Sequence, residues 1–116
     1  MKNLLLFALF ASAVWGVEIQ ISGDSAIFNE FKKEARNYDT SVPAEDYAYL
    51  NELLPKTIIK MLAIDDAEGL ALLNKVARIN DVQDAVGGTP NFGQIAKEKG
   101  AKKCVKTLEK LGYRFN

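Results

Sequence analysis

Apolar residues recur at the spacing of an α-helix along most of this chain. In the first predicted helix, Ile27, Phe31 and Ala35 are four positions apart and fall on one face, with charged residues between them. Residues 17–21 alternate apolar and polar side chains, but this strand-like run has no partner and is interpreted as an extended lead-in. The hydrophobic pattern therefore predicts an all-α fold.

Two prolines and a pair of aspartates divide the middle of the chain into further predicted helices. A second helix begins near Pro43 and is expected to stop at Pro55, because proline lacks the N–H that a helix interior uses. A third helix, with Thr57 placed as its cap, is apolar almost all round and is expected to be the most buried. The aspartates at 65–66 end it and cap a fourth helix. That helix carries apolar residues at steps of three, at Leu70, Leu73 and Val76.

Glycine, threonine and proline mark the boundaries in the C-terminal third. Residues 79–88 show little periodicity and are predicted to form a loop. Thr89 and Pro90 are placed as the cap and first residue of a short helix that ends at Gly100. The last helix is predicted to end at Gly112, in the left-handed conformation that glycine adopts readily. Its apolar face carries Cys104, Val105, Leu108 and Leu111.

The segments 57–81 and 89–116 follow the same order of features. Each opens on a threonine and continues through an apolar helix, a turn, a second helix with an apolar face and a short tail. Their first threonines are 32 positions apart and the asparagines of their tails, Asn80 and Asn116, are 36 apart, so the two distances bracket a repeat period of roughly 33 residues. Order and period together resemble the ankyrin repeat family. The matching positions of the later segment are Thr89, Pro90, Ala96, Gly100, Val105, Leu108, Gly112 and Asn116. Those of the earlier one are Thr57, Ala63, Asp66, Glu68, Leu72, Leu73, Ile79 and Asn80.

The resemblance implies stacked helix-turn-helix pairs over 57–116, an ankyrin-like solenoid with a divergent N-terminal helical cap in a single domain over 17–116. It also implies a non-catalytic module that binds another protein through its loops and inner helix faces. The earlier segment lacks the proline and both glycines of the family pattern. A small helical bundle of another kind, acting as an inhibitor or envelope factor, is therefore the alternative interpretation.

The N-terminus carries the pattern of a secretory signal peptide over 1–16. A short basic start precedes the apolar run 4–14, which is too short to span a bilayer. Small residues offer cleavage after Ala13 or after Gly16. Gly16 is preferred, so we expect the mature chain to begin at Val17 and to be periplasmic or secreted. An uncleaved anchor or a buried helix is the other interpretation of this run.

The residue types present limit the chemistry of the chain. Histidine is absent, which excludes Ser–His and Cys–His nucleophile pairs and histidine metal sites. Cys104 is the only cysteine, so no internal disulfide forms. Because its neighbours at helical spacing are apolar, its thiol is expected to be buried and inert. These residues favour a protein that is not an enzyme and uses no cofactor.

Charge is unevenly distributed along the chain. Residues 97–116 hold seven basic and two acidic side chains, giving +5, whereas residues 17–96 hold seven basic and thirteen acidic ones, giving −6. Five lysines lie opposite the apolar face of the last helix, at Lys99, Lys102, Lys103, Lys106 and Lys110. They are interpreted as the solvated outer face of a terminal helix pair or, in a functional sense, as a binding surface for an acidic partner.

The partner of these lysines is expected to be a protein, and an anionic membrane surface is the less favoured option. Nucleic acid is not expected, because no aromatic side chains interleave with the lysines and export argues against it. Tyr47 and Tyr49, near acidic residues, form a second candidate binding patch, since exposed tyrosines favour interfaces.

Overall fold

The structure, a computed structural model, describes residues 23–36 and 47–115, and for 36 and 47–51 it describes the backbone alone. All regular structure in these two ranges is helical, which confirms the predicted all-α class for them. The predicted signal peptide, the lead-in at 17–21 and the helix start near Pro43 lie outside the described residues. The helices are α1 (Ala26–Arg36), α2 (Tyr47–Ala63), α3 (Ala67–Val76), α4 (Ile79–Val86), α5 (Phe92–Glu98) and α6 (Lys102–Lys110).

Helix α1 begins at a serine cap and buries an aromatic face. The hydroxyl of Ser25 accepts the N–H of Phe28 at 3.1 Å, which satisfies one of the free N–H groups at the helix start. Phe28 and Phe31 are fully buried, whereas Ile27 is only partly buried. The buried stripe is therefore rotated slightly from the predicted one, because the larger aromatic side chain at 28 occupies the core.

The predicted stop at Pro55 is wrong. Helix α2 continues through Pro55 to Ala63, so the second and third predicted helices are one, and Thr57 is a buried interior residue rather than a cap. An interior proline costs about 3 kcal/mol. Full burial contributes roughly 1.5–3 kcal/mol for each large apolar side chain, so packing outweighs the lost hydrogen bond. The fully buried side chains beyond the proline are Ile58, Met61 and Leu62.

The predicted loop at 79–88 is also wrong, because residues 79–86 form α4. Ile79 and Val82 are buried one turn apart and attach the helix to the core. The short length of the helix and its many polar residues conceal this spacing in the sequence. Glycine then ends the helix, with Gly87 at a φ of 78°.

Thr89 and Pro90 do not begin α5, contrary to the prediction. The N-cap is Asn91, whose side-chain oxygen accepts the N–H of Gln94 at 2.8 Å. Pro90 instead lies in the connection between α4 and α5, where its carbonyl accepts a hydrogen bond from Gln83 Nε2 at 2.9 Å. The helix consequently starts two residues later than the Thr-Pro pair indicates.

The predicted left-handed glycine at the end of α6 is confirmed. Gly112 has a φ of 78°, and the N–H groups of Gly112 and Tyr113 donate to the carbonyls of Glu109 and Leu108. These two bonds form a Schellman motif, which satisfies carbonyls that would otherwise lack partners. Helix α5 ends in the same way, with Gly100 as the left-handed residue at a φ of 69°.

The helices pack as two adjacent pairs with α1 beside the first. Helix α2 contacts α3, and α5 contacts α6, across tight turns. Between the pairs, α2 packs on α5 and α3 packs on α6, while α1 lies against α2 and α3. Leu73 of α3 and Leu108 of α6 are both fully buried, as their spacing predicted. One hydrophobic core is thus shared by all of these helices.

The corrected cap of α5 gives a matched pair of substitutions. Asn91→Ala should lower the free energy of unfolding by about 1 kcal/mol, because the N–H of Gln94 loses its acceptor. Thr89→Ala, at an exposed residue, should change it by less than about 0.5 kcal/mol. Urea unfolding of both variants checks this, and a larger effect at Thr89 than at Asn91 would restore the original assignment.

Candidate interaction surface

The turn between α2 and α3 places two aspartates on two different helix N-termini. Asp66 caps α3, because its Oδ1 accepts the N–H of Gly69 at 2.9 Å. Asp65 reaches the neighbouring pair, where its Oδ1 accepts the N–H of Cys104 at 2.9 Å and its Oδ2 that of Lys103 at 3.4 Å. Ala101, at the N-cap of α6, has no side-chain hydrogen bond to offer. Asp65 therefore supplies the cap that α6 itself lacks.

Asp65 occupies the position that glycine holds at the ends of α5 and α6. Its φ is 56°, and the N–H of Asp66 donates to the Met61 carbonyl at 2.8 Å, as in the other Schellman motifs. A non-glycine residue in this conformation costs roughly 1–2 kcal/mol. Aspartate tolerates it better than most residues. The charged cap on α6 offsets the cost, since carboxylates at helix N-termini are stabilising.

The environment of Asp65 favours its charged form. Burial opposes ionisation, but the N–H groups of Cys104 and Lys103 and the charge of Lys103 outweigh it, so the pKa of Asp65 lies below its usual value. The carboxylate is therefore ionised, and it acts as a cap, throughout the neutral range.

A serine joins α1 to the same turn. The hydroxyl of Ser25 donates to Asp66 Oδ2 at 2.6 Å, so the caps of α1 and α3 are hydrogen-bonded to each other. A side chain at Gly69 would overlap both groups, which explains the glycine in the first turn of α3. The backbone N–H of Asp24 also donates to the carboxylate of Glu68. Three helix N-termini, those of α1, α3 and α6, thus meet at one turn.

Cys104 is the buried thiol that its spacing predicts. Its side chain is fully buried, and its Sγ lies 3.9 Å from the carbonyl oxygen of Met61. Burial, followed by the hydrogen bond and charge of Asp65, raises the pKa of Cys104 to about 12. A thiol with this pKa stays protonated at neutral pH and is a poor nucleophile.

The five lysines predicted as a binding surface are all exposed. Four lie on α6 and Lys99 lies in the turn before it, while Leu108 on the opposite face is buried. Within the described residues, none of the five has a carboxylate at salt-bridge distance. We name this surface the lysine stripe; it consists of Lys99, Lys102, Lys103, Lys106 and Lys110.

The two tyrosines predicted as a second binding patch, Tyr47 and Tyr49, lie in the first turn of α2. The structure describes only their backbone, so the prediction of this patch stays a prediction.

An exposed isoleucine precedes the aspartate that is bonded to the first turn of α6. Ile64 is 67% exposed and stands out among the described residues as a large apolar side chain in solvent. It precedes Asp65, whose carboxylate accepts the N–H of Lys103 in the first turn of α6. Ile64 is therefore close to the end of the stripe that carries Lys102 and Lys103.

The sequence did not predict how the C-terminal tail is held. Asn80 of α4 donates from Nδ2 to the Gly112 carbonyl at 2.9 Å and accepts the N–H of Arg114 at 3.1 Å. Asp84 binds the Arg114 guanidinium through both carboxylate oxygens at 2.9 Å. In the sequence, the residues that hold the tail are Asn80, Gln83 and Asp84, at i, i+3 and i+4. This spacing places them on one face only if 79–86 is helical, and the sequence did not predict that helix.

Gln83 of α4 also holds the tail, through a hydrogen bond to Tyr113. Its Oε1 accepts the hydroxyl of Tyr113 at 2.7 Å and the N–H of Phe92 at 2.9 Å. The same hydroxyl accepts the N–H of Gly93 at 3.0 Å. Burial raises the pKa of Tyr113, and the hydrogen bonds from Gly93 and Phe92 only partly oppose that effect. These contacts order the end of α6 and leave its lysine face in solvent.

Elsewhere on the described surface there is a groove of mixed polarity. It has a volume of about 160 Å³, lies between α1 and α2, and is lined by a mixture of apolar and charged residues, including Phe31, Glu30 and Lys60. In the part of the chain that the structure describes, no group of His, Cys, Asp and Glu side chains is placed to hold a metal ion. None of the described helices is long and apolar enough to cross a membrane.

A scan of protein-family models and searches of curated proteins and of solved structures find no match to this chain. The function is therefore inferred from the residues and geometry of the chain itself.

The cap from Asp65 to α6 gives a pH-dependent prediction. Because the folded pKa is depressed, ionised Asp65 stabilises the protein above its usual pKa near 3.9, and this contribution is lost as the pH falls through the lower folded value. Asp65→Asn keeps a side-chain oxygen that can accept the two N–H groups but removes the negative charge at the N-terminus of α6, so it should reduce the free energy of unfolding by about 0.3–1 kcal/mol at neutral pH. The two proteins should then converge in acid.

Urea unfolding at neutral and acid pH measures this difference. Glu52→Gln is the matched control, because Glu52 is an exposed carboxylate of α2, and it should behave like the original protein. Equal stability of Asp65→Asn and the original protein at neutral pH would show that the charge of this carboxylate contributes nothing.

Proposed function

We propose that this chain is an exported, non-catalytic protein–protein interaction module of the ankyrin-like repeat type. The observation that carries the proposal is that corresponding helices of the two pairs pack on each other: the first helices are α2 and α5, and the second helices are α3 and α6. A stack of repeats brings equivalent helices of consecutive units into contact in this way. In this interpretation α1 is the N-terminal cap of the stack.

The turns within the two pairs support the same interpretation. Both are Schellman motifs in which a single left-handed residue, Asp65 or Gly100, reverses the chain. Two segments that differ in sequence thus make the same kind of turn, although Asp65 lies one position before the Asp66 that the sequence match pairs with Gly100. Helix α4 is an insertion between the units, and it accounts for the irregular stretch at 79–88.

A binding role also suits the chemistry of the surface. The single thiol is buried with a pKa of about 12 and supplies no nucleophile. The exposed face of α6 instead presents charge without described ion-pair partners. The pattern of the first sixteen residues favours export, which would bring this surface to partners in the periplasm or outside the cell.

The alternative function is that of a small exported helical bundle, an inhibitor or envelope factor. The contacts of α1 with the first helix pair favour this alternative. Ser25 is hydrogen-bonded to Asp66, and α1 packs on both α2 and α3.

Site-specific photo-crosslinking in the native cell tests the proposed function. A photoreactive residue is placed at Lys103 on α6, at Gln94 on α5 or at Lys33 on α1, all of them exposed. We expect a mature chain that begins at Val17 in the envelope or secreted fraction, with a discrete protein adduct from at least one position. Unirradiated cells are the control. Intact Met1 in the cytosol, or no protein adduct from any position, would contradict the proposal.

A further inference from the structure

The lysine stripe is an ordered row of positive charge. Lys102, Lys106 and Lys110 follow one another at every fourth residue of α6, about 6 Å apart along the helix axis. At 3.6 residues per turn, Lys103 falls within the same arc of about 100°, and Lys99 lies in the turn that precedes the helix. The stripe is therefore long and narrow, and it runs the whole length of the helix.

In the described ranges, the fold compensates this charge only near Lys103, whose charge helps to lower the pKa of Asp65. Glu109 is the single acidic residue of α6. Asp65 approaches the start of the helix, but its two oxygens accept the N–H groups of Cys104 and Lys103. Because the described residues place no carboxylate at salt-bridge distance from the stripe, its ammonium groups remain available to a ligand.

The surface has two distinguishable ends. Ile64, 67% exposed, lies near the end that carries Lys102 and Lys103, because the adjacent Asp65 bonds to the first turn of α6. At the other end, Lys110 is followed by the ordered turn at Gly112. A ligand that gains from both charge and apolar contact is therefore held in one direction along the helix.

We propose that the lysine stripe and Ile64 together bind an acidic polypeptide segment, with an apolar side chain at the end that meets Ile64. Carboxylates at every fourth residue of a helix are about 6 Å apart, and those at alternate residues of an extended strand are about 6.6 Å apart. Both spacings match the lysines. This inference rests on the proposed function and names its partner by chemistry.

A lipid surface is the less suitable ligand. Anionic headgroups would attract lysines, but stable membrane binding gains from buried apolar area as well, and the stripe offers one isoleucine at one end. The regular spacing along a narrow arc has no counterpart in a fluid layer of headgroups. An acidic segment uses every feature of this surface.

Fluorescence anisotropy with the full chain tests the proposal. The probe is a short labelled peptide with glutamate at alternate positions and leucine at one end. We expect binding that weakens with added salt and is lost when glutamine replaces glutamate. Lys102→Glu with Lys106→Glu should weaken binding about tenfold or more, and Ile64→Ser should weaken it about threefold.

The matched control is Lys33→Glu with Lys56→Glu, which makes the same change of charge at exposed sites on α1 and α2 and should bind as the original protein does. Lys102→Gln with Lys106→Gln provides a milder variant should charge reversal disturb folding. Equal loss of binding in the stripe and control variants would overturn the proposal. So would sedimentation of the chain with anionic phospholipid vesicles when the peptide does not bind.

The two proposals fail in different ways. Photo-crosslinked adducts at Gln94 or Lys33, with no peptide binding by the stripe, would support the proposed interaction module and contradict the proposal that the lysine stripe is its binding surface. The absence of adducts at every position would remove the module itself.

Discussion

The carboxylate of Asp65 is the interaction on which the arrangement of the two helix pairs depends. It belongs to the turn of the first pair, yet it caps the N-terminus of α6 in the second, through the N–H groups of Cys104 and Lys103. The next residue, Asp66, caps α3 and accepts the hydroxyl of Ser25 at the start of α1. One turn therefore fixes three helix starts, and a left-handed aspartate is retained where glycine would fit more easily.

This constraint and the apolar side chains of α6 together set which face of the helix meets solvent. With its first turn held by Asp65 and its last turn ended at Gly112, the helix buries Cys104 and Leu108 and turns its lysines outward. The described part of the C-terminal tail is bound to α4 through Gly112 and Arg114. The same contact that stabilises the packing of the pairs also places Ile64 beside the positive stripe.

The sequence predicts the features that depend on neighbouring residues and misses those that depend on distant ones. Apolar spacing identified α3 and α6, and Gly112 was placed correctly, because these signals are local. Pro55 misled the prediction because burial of the surrounding side chains outweighs a local preference. The role of Asp65 was also missed, since its partners lie 38 and 39 residues away. The exposure of the lysines followed from the apolar face opposite them, whereas the position of Ile64 required the fold.

The most direct test of this account is an NMR titration of Asp65. Its side-chain carboxyl carbon and the amide protons of Lys103 and Cys104 are followed together as the pH is lowered. We expect one shared midpoint below about 3.9, because both N–H groups form stronger hydrogen bonds to the carboxylate when it is ionised than when it is protonated. A carboxyl group that titrates at or above that value, with no response from the two amides, would contradict it.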